Sequence, residues 1–293
     1  MAFQLSPGVS VSEVDLTTIV PSVLTTAGAF AGQFTWGPAL KNKLIDNELA
    51  LVKTFAPAGP DANTSTSFFS AANFLSYGNN LQVVRVVGNS TTNAGAIAPV
   101  AGLKNEDIYE ASYYGKNNSN TYGSFVARYP GTLGNSLKVE VFDSADSAKF
   151  NTWPYKNYFN SAPGTSTYAA GVGGSNDEMH IVVIDSNGKF SGSPGTVLET
   201  YGYLSKATDA TINGSSNYYK QVIFNQSKYI FAIDPADYSS TNATWGQPVS
   251  TSFAQLSGIK NYTLGGGVDA APTDGNLQRS EEHTSELQSR QYL

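Results

Sequence analysis

The stretch Phe68-Phe69-Ser70-Ala71-Ala72-Asn73-Phe74-Leu75-Ser76-Tyr77-Gly78-Asn79-Asn80-Leu81-Gln82-Val83-Val84-Arg85-Val86-Val87-Gly88 carries two periods in succession. Phe68, Ala71, Ala72 and Leu75 recur at i, i+3, i+4 and i+7, which places them on one face of a helix. Gly78 fits the C′ position that closes such a helix. From Leu81 to Val87 the run is almost continuously apolar and β-branched, the pattern of a buried strand, and Gly88 stops it. A helix feeding a buried strand is a piece of an open α/β sheet.

Reading outward toward the N-terminus, Ser65 or Ser67 is expected to cap this helix, and Pro57 to Pro60 separates it from a shorter one. That shorter helix is capped by Asn47 and carries Leu51, Val52 and Phe55 on one side. Residues 27–34, apolar and rich in small side chains, read as a second buried strand that Trp36-Gly37-Pro38 breaks. Residues 22–88 therefore read as a β-α-α-β unit whose two strands leave a sheet unfinished. Within residues 1–21, the turn signal Ser6-Pro7-Gly8 precedes Val9, Val11, Glu13 and Val14, interleaved with serines and Asp15. Period two marks a strand, and Pro21 closes it. With no hairpin partner nearby, it is expected to be an extended arm that packs on the body or adds to a neighbour's sheet edge.

Residues 89–265 change character. Short Val/Ile/Tyr/Phe runs at 124–127, 137–142, 180–184 and 229–233 are separated by Gly, Asn and Ser, with one amphipathic stretch at 218–225. This reads as a β-rich insertion. Asn187-Gly188 predicts a two-residue type I′ hairpin before Lys189-Phe190, and Asn213-Gly214 a second turn. Leu264-Gly265-Gly266-Gly267-Val268 reads as the return, so that 266–278 rejoin the first domain. The style then breaks at 279–293, and Arg279 to Ser289 resembles the in-frame translation of a short-read sequencing adapter. That tail is read as non-native and set aside.

Composition narrows the function. The 293 residues contain 17 Lys+Arg against 23 Asp+Glu, a net charge of −6, which lacks the basic footprint of a nucleic-acid binder. There is no Cys, and the two His are His180 and His283, so thiol chemistry and multi-His metal sites are excluded. No apolar run approaches the ~18 residues of a membrane span, and the first residues do not form a signal peptide. Charged residues are 14% of the chain, below the ~25% of ordinary soluble proteins, so Ser, Thr, Asn, Gly and Tyr must cover the surface.

Few residues invite chemistry. Gly265-Gly266-Gly267 lacks the Gly-Lys-Ser/Thr that a phosphate loop requires and reads as a flexible turn. Glu106, Asp107 and Glu110 have the types needed for a glycosidase pair, but clustered acids in a polar loop read as a solvated face. His180 opens an apolar strand, as a hydrogen-bonded structural histidine does. Tyr113-Tyr114, Tyr122 and Tyr218-Tyr219 suit either sugar stacking or half-buried sheet packing. No Gly-x-Ser-x-Gly elbow occurs. The chain is expected to be no enzyme and to need no cofactor or metal. From residues alone, a β-rich carbohydrate-binding or adhesin-type surface module competes, and the missing signal peptide argues against an exported adhesin.

Leu5-Ser6-Pro7-Gly8-Val9, the block Ala27 to Ala39 (Ala-Gly-Ala-Phe-Ala-Gly-Gln-Phe-Thr-Trp-Gly-Pro-Ala), and the segment 69–85 together resemble contractile tail sheath proteins of T-even-type myoviruses. Tyr129-Pro130-Gly131-Thr132-Leu133-Gly134-Asn135, residues 227–232 and Leu264-Gly265-Gly266-Gly267 extend the likeness, with gaps, over most of residues 4–278. The resemblance implies an α+β chain: an incomplete α/β sheath core with an inserted β-rich domain and an extended N-terminal arm. It marks Val9, Val11, Glu13 and Val14 as an inter-subunit arm strand and Phe34, Trp36, Gly37 and Pro38 as a core motif. It implies a subunit that builds helically stacked hexameric rings around a tail tube and contracts to drive that tube through the host envelope. The implied partners are further copies of itself, the tube protein, and baseplate and tail terminator proteins, without nucleic acid or membrane insertion. The implied location is the virion tail, assembled in the host cytoplasm. The chain departs from the pattern in a shorter stretch at 89–122 and in lacking the family's C-terminal continuation.

Overall fold

In a computed structural model that describes residues 27–116, 118–236, 244–256 and 258–273, the chain begins with β1 (Ala27–Gly32) and β2 (Asn42–Ile45). The helices α1 (Glu48–Phe55) and α2 (Ala62–Leu75) follow, then β3 (Asn80–Arg85). β3 lies between the others, parallel to β1 and antiparallel to β2. The unit is thus β-β-α-α-β, correcting the expected β-α-α-β. Four residues, Asn-Lys-Leu-Ile, are too few to show a period. β2 is fixed instead by its ladder to β3 and by Asn42 Nδ2 donating to Gln82 Oε1 at 2.6 Å.

Alternation on β3 sends Leu81 and Val83 toward the helices, into a core with Phe34, Ile45, Leu51, Phe55, Phe68 and Ala71. α1 is capped by Asn47, whose side chain accepts from Ala50 N at 2.8 Å. α2 starts earlier than expected, because Asp61 accepts from Thr64 N at 3.0 Å and caps it. Ser65 instead donates to Gly59 O. The C-cap is Ser76, so Gly78 lies one position beyond C′, its N–H donating to Phe74 O. Small residues on β1 let α2 come close: a Cβ at Gly28 would meet the Phe74 ring at 2.5 Å.

The remainder is β-rich. The short pair β4 (Thr92–Asn93) and β5 (Val100–Ala101) precedes α3 (Glu106–Ser112), β6 (Phe125–Ala127) and β7 (Leu137–Phe142). The short helices α4 (Ser147–Thr152) and α5 (Thr167–Gly171) lead to β8 (Glu178–Asp185) and β9 (Thr196–Ser205). β10 (Thr211–Ile212) and β11 (Ser215–Ser216) form the expected tight hairpin, with Asn213 and Gly214 both at positive φ as a type I′ turn requires. Then come α6 (Tyr219–Gln226), β12 (Ile230–Ala232), paired with β6, and β13 (Lys260–Thr263). The main sheet runs β13-β7-β8-β9, antiparallel throughout. One face (Val139, Val141, Ile181, Val183) enters the largest core, and the other (Phe142, Val182, Ile184) lies under Phe150 and Trp153.

Two turn expectations fail. Asn187-Gly188 does not join β8 to β9 directly, since residues 186–195 form a wide loop built on the buried Asp185 carboxylate. That group accepts from Lys189 N, Phe190 N and Ser191 N at 2.8–3.0 Å, and Ser136 Oγ donates to it as well. Burial alone would raise the Asp185 carboxyl, but these donors hold it below its ordinary range. Gly265-Gly266-Gly267 is no flexible turn either. Gly95 and Gly265 exchange N–H···O bonds at 2.9 and 3.0 Å, and a Cβ at Gly267 would meet Gly131 O at 2.4 Å. Here glycine permits close approach of two backbones.

Candidate functional site

The four core-motif residues lie together where the small sheet meets the β-rich part. The bend at residues 35–37, past the end of β1, turns Phe34 and Trp36 into different cores. Phe34 stacks on Phe55 (ring centroids 4.6 Å apart) in the core beneath α1 and α2. Trp36 enters the other core, edge-to-face on Tyr129 (5.4 Å) and Phe190 (5.0 Å). Gly37 has φ +98°, and a Cβ there would lie 2.5 Å from Thr54 O, so only glycine fits without strain. Past Pro38 the chain is pinned: Ala39 N donates to Lys104 O and Leu40 N to Arg85 O.

Arg85 joins the pieces. It is 1% exposed, and its guanidinium donates to four main-chain carbonyls: Nε to Phe34 O (2.8 Å), Nη1 to Gly37 O (2.8 Å), and Nη2 to Thr35 O (3.3 Å) and Pro130 O (2.9 Å). Burial lowers its pKa to about 10 against the opposing pull of the Asp269 carboxylate, so it stays charged at neutral pH. Asp269 itself accepts from Thr132 N at 3.1 Å. A single side chain thus binds the motif and the Tyr129-Pro130-Gly131 turn. The signal for it is a lone charge inside Val83-Val84-Arg85-Val86-Val87, since an arginine in a buried strand must find carbonyls or carboxylates.

A second polar cluster adjoins it. Tyr129 OH donates to Glu106 at 2.7 Å, and Arg128 and Lys41 lie 3.7 and 3.6 Å from that carboxylate. Arg128 also lies over the Phe231 ring at 4.4 Å. Burial opposes ionisation of Glu106, but the Tyr129 hydroxyl and the nearby cations win and lower its pKa. Of the three acids read as a solvated face, Glu106 is therefore a half-buried brace, while Asp107 stays exposed on Lys41.

The other candidates resolve into packing. His180 is fully buried and stacks on Phe159 at 4.1 Å. Its Nδ1 accepts from Tyr203 N (3.1 Å) and its Nε2 donates to Ser161 O (2.8 Å), which fixes a neutral tautomer. Burial lowers its pKa despite the Ser161 carbonyl. The bond has a local cause: β8 and β9 slip register between Met179 and Ile181, and the imidazole takes up an amide left at that bulge. Tyr113 and Tyr122 pack edge-to-face on each other, and Tyr219 is buried, so the tyrosines present no open stacking platform. Lys206 and Asp143, both wholly buried, pair at 3.0 Å. Among the described residues no cluster of three or more metal-ligating side chains occurs, and no helix is long and apolar enough to cross a membrane. Val9, Val11, Glu13 and Val14, like residues 279–293, lie outside the described residues.

Comparison with known proteins supplies the missing context. No family model matches the chain. It is 32% identical over 198 residues to the tail sheath protein of Salmonella phage ViI, covering 67% of this chain and 28% of that protein. It is 44% identical over 98 residues to the tail sheath protein of Enterobacteria phage T4, covering 33% of this chain and 14% of that one.

The chain belongs to the tail sheath proteins of myoviruses.

It spans less than a third of the length of the curated sheath proteins it matches. Among solved structures it is similar to the sheath tail protein Lin1278 from Listeria innocua, with a TM-score of 0.41 and 12% identity over 87% of this chain and 38% of that one. At the Trp36–Arg85 junction the small sheet and the β-rich part are held together by main-chain carbonyls that accept from one guanidinium.

Proposed function

We propose that the chain is part of a structural subunit of a phage contractile tail sheath. The subunit polymerises as helically stacked hexameric rings around the tail tube, bounded by baseplate and tail terminator proteins, and assembles in the host cytoplasm. Contraction of this assembly drives the tube through the host envelope by repacking interfaces between two stable arrangements, without turnover of a substrate. Kinship to the Salmonella phage ViI protein, spread over two thirds of the chain, carries this reading. The domain plan follows it: an arm at 1–21, a first core segment at 22–88, a β-rich insertion at 89–265 and a return at 266–278. Residues 5–20 serve as an exchanged strand, in which main-chain pairing matters more than individual side chains.

Electron microscopy of the purified full-length gene product tests the main reading. Long, regularly banded tubes are expected, and a product that stays dispersed at every concentration overturns it. A full-length product lacking residues 1–20 tests the arm, because regular long tubes from that variant would sink the exchanged-strand role.

A further inference from the structure

Beside the Trp36 joint, two adjoining depressions of about 390 and 180 Å³ share Trp36, Lys53 and Lys228. Lys43 and Arg128 complete the charged wall, and Tyr129 and Phe190 the aromatic floor. Arg128 is already engaged by Glu106. Lys43, Lys53 and Lys228 form no ion pair among the described residues. Lys43 acts on the Glu106 carboxylate from a distance, which leaves Lys53 and Lys228 as two lysines without an ion pair in one groove of a chain of net charge −6, and they call for an acidic occupant with apolar flanks.

The same β2–α1 element carries such a shape elsewhere. At its tip Asp46 and Glu48 are exposed, flanked by Leu44 and Leu49, each 61% exposed. The tip and the groove face different ways. Lys43 and Leu44 are successive residues of a strand and point to opposite faces. Glu48 and Lys53 are five positions apart on α1, which sets them about 140° apart around its axis. One copy therefore cannot satisfy itself, and two copies related by a two-fold axis are not favoured. The fit is head to tail, the contact class that builds rings or helical filaments.

We propose that the Leu44–Leu49 tip of one copy docks into the Lys43/Lys53/Lys228 groove of the next copy. This rests on the self-assembly reading above and adds one of its contacts. The absence of cysteine from the chain makes a clean test available. L49C places a thiol on the tip, and N225C places one at the groove wall. Mixed in equal amounts and treated with a short bis-maleimide, the two variants are expected to give a covalent dimer, and neither variant alone to do so. Adding K53E and K228E to the N225C chain is expected to cut dimer yield by about tenfold through like-charge repulsion, and adding D46K and E48K to its L49C partner to restore it. No dimer in the mixture, equal dimer from either variant alone, or a yield indifferent to charge reversal would each overturn the proposal. Sedimentation of the same samples separates the two ideas. Oligomers without the cross-link reject this groove alone, whereas a chain that is monomeric throughout also removes support for self-assembly.

Discussion

The two sheets of this chain are covered very differently. β8, in the four-stranded sheet, is buried along nearly its whole length, with apolar cores on both faces. The three-stranded sheet has α1 and α2 on one face only. On its other face, Ala27 and Leu44 are exposed, and its helices leave Leu49 and Phe69 exposed as well. The β-rich part thus closes its own core, while the small sheet depends on what holds it from the side. Its anchor is the buried arginine, which grips main-chain carbonyls on both sides of the joint. The contrast teaches where stability is local and where it is borrowed.

The sharpest way to break this contrast is Arg85→Met. Four carbonyls lose their donor and Asp269 a nearby opposite charge, and about 3–5 kcal/mol should go, as when one member of a buried charged network is removed. Urea denaturation measures the loss, and hydrogen exchange should show β1–β3 opening well before β7–β9. Equal protection in both sheets would mean that the small sheet does not hang on this residue. Gly37→Ala comes next, at about 2 kcal/mol from a forced positive φ and a clash with Thr54 O. A loss of unfolding free energy under a quarter of that, read from urea denaturation, would contradict the strain argument.

Smaller effects sharpen the picture. Asp61→Ala should cost about 1 kcal/mol as a lost helix cap, with Ser65→Ala nearer neutral; the reverse order in thermal melts would reinstate the serine as the cap. The gentlest effect concerns the closed sheet. Burial keeps His180 neutral and its folded pKa below the ordinary value near 6.5. The unfolded chain therefore takes up the proton first as pH falls. Stability should decline as pH drops through about 6.5 and level off below the folded value. A His180→Gln variant whose stability declines just as steeply over that interval would show that another group is responsible.

Legibility in the sequence followed the same division. α2, β3, β7 and the Asn213-Gly214 hairpin were readable because each is specified by its own residues, through period or turn chemistry. β2 was not, because it exists through its partner rather than its pattern. The cap of α2 was misplaced since Asp61, Ser65 and Ser67 are all competent caps, and only the Gly59 carbonyl diverts Ser65. The β8–β9 loop misled because Asn-Gly favours a turn anywhere, whereas a buried carboxylate can organise a wider one. At the joint, Phe34, Trp36, Gly37 and Pro38 were visible through resemblance. Arg85 announced itself only as a charge among valines, and its four acceptors are carbonyls, which carry no sequence signature.

Beyond the end of β3 lies a hydrogen bond with a wider consequence. Gly88 N donates to Ala270 O at 3.1 Å, so the chain leaves the small sheet and comes back to it through neighbouring residues. Gly88 and Ala270 thus stand side by side at one doorway, with residues 89–269 between them in sequence. Such an attachment does not register the length of what hangs from it. A replacement module entering at Gly88 and leaving at Ala270 would keep the two chain ends together, but it would also have to supply the Pro130 carbonyl that Arg85 grips.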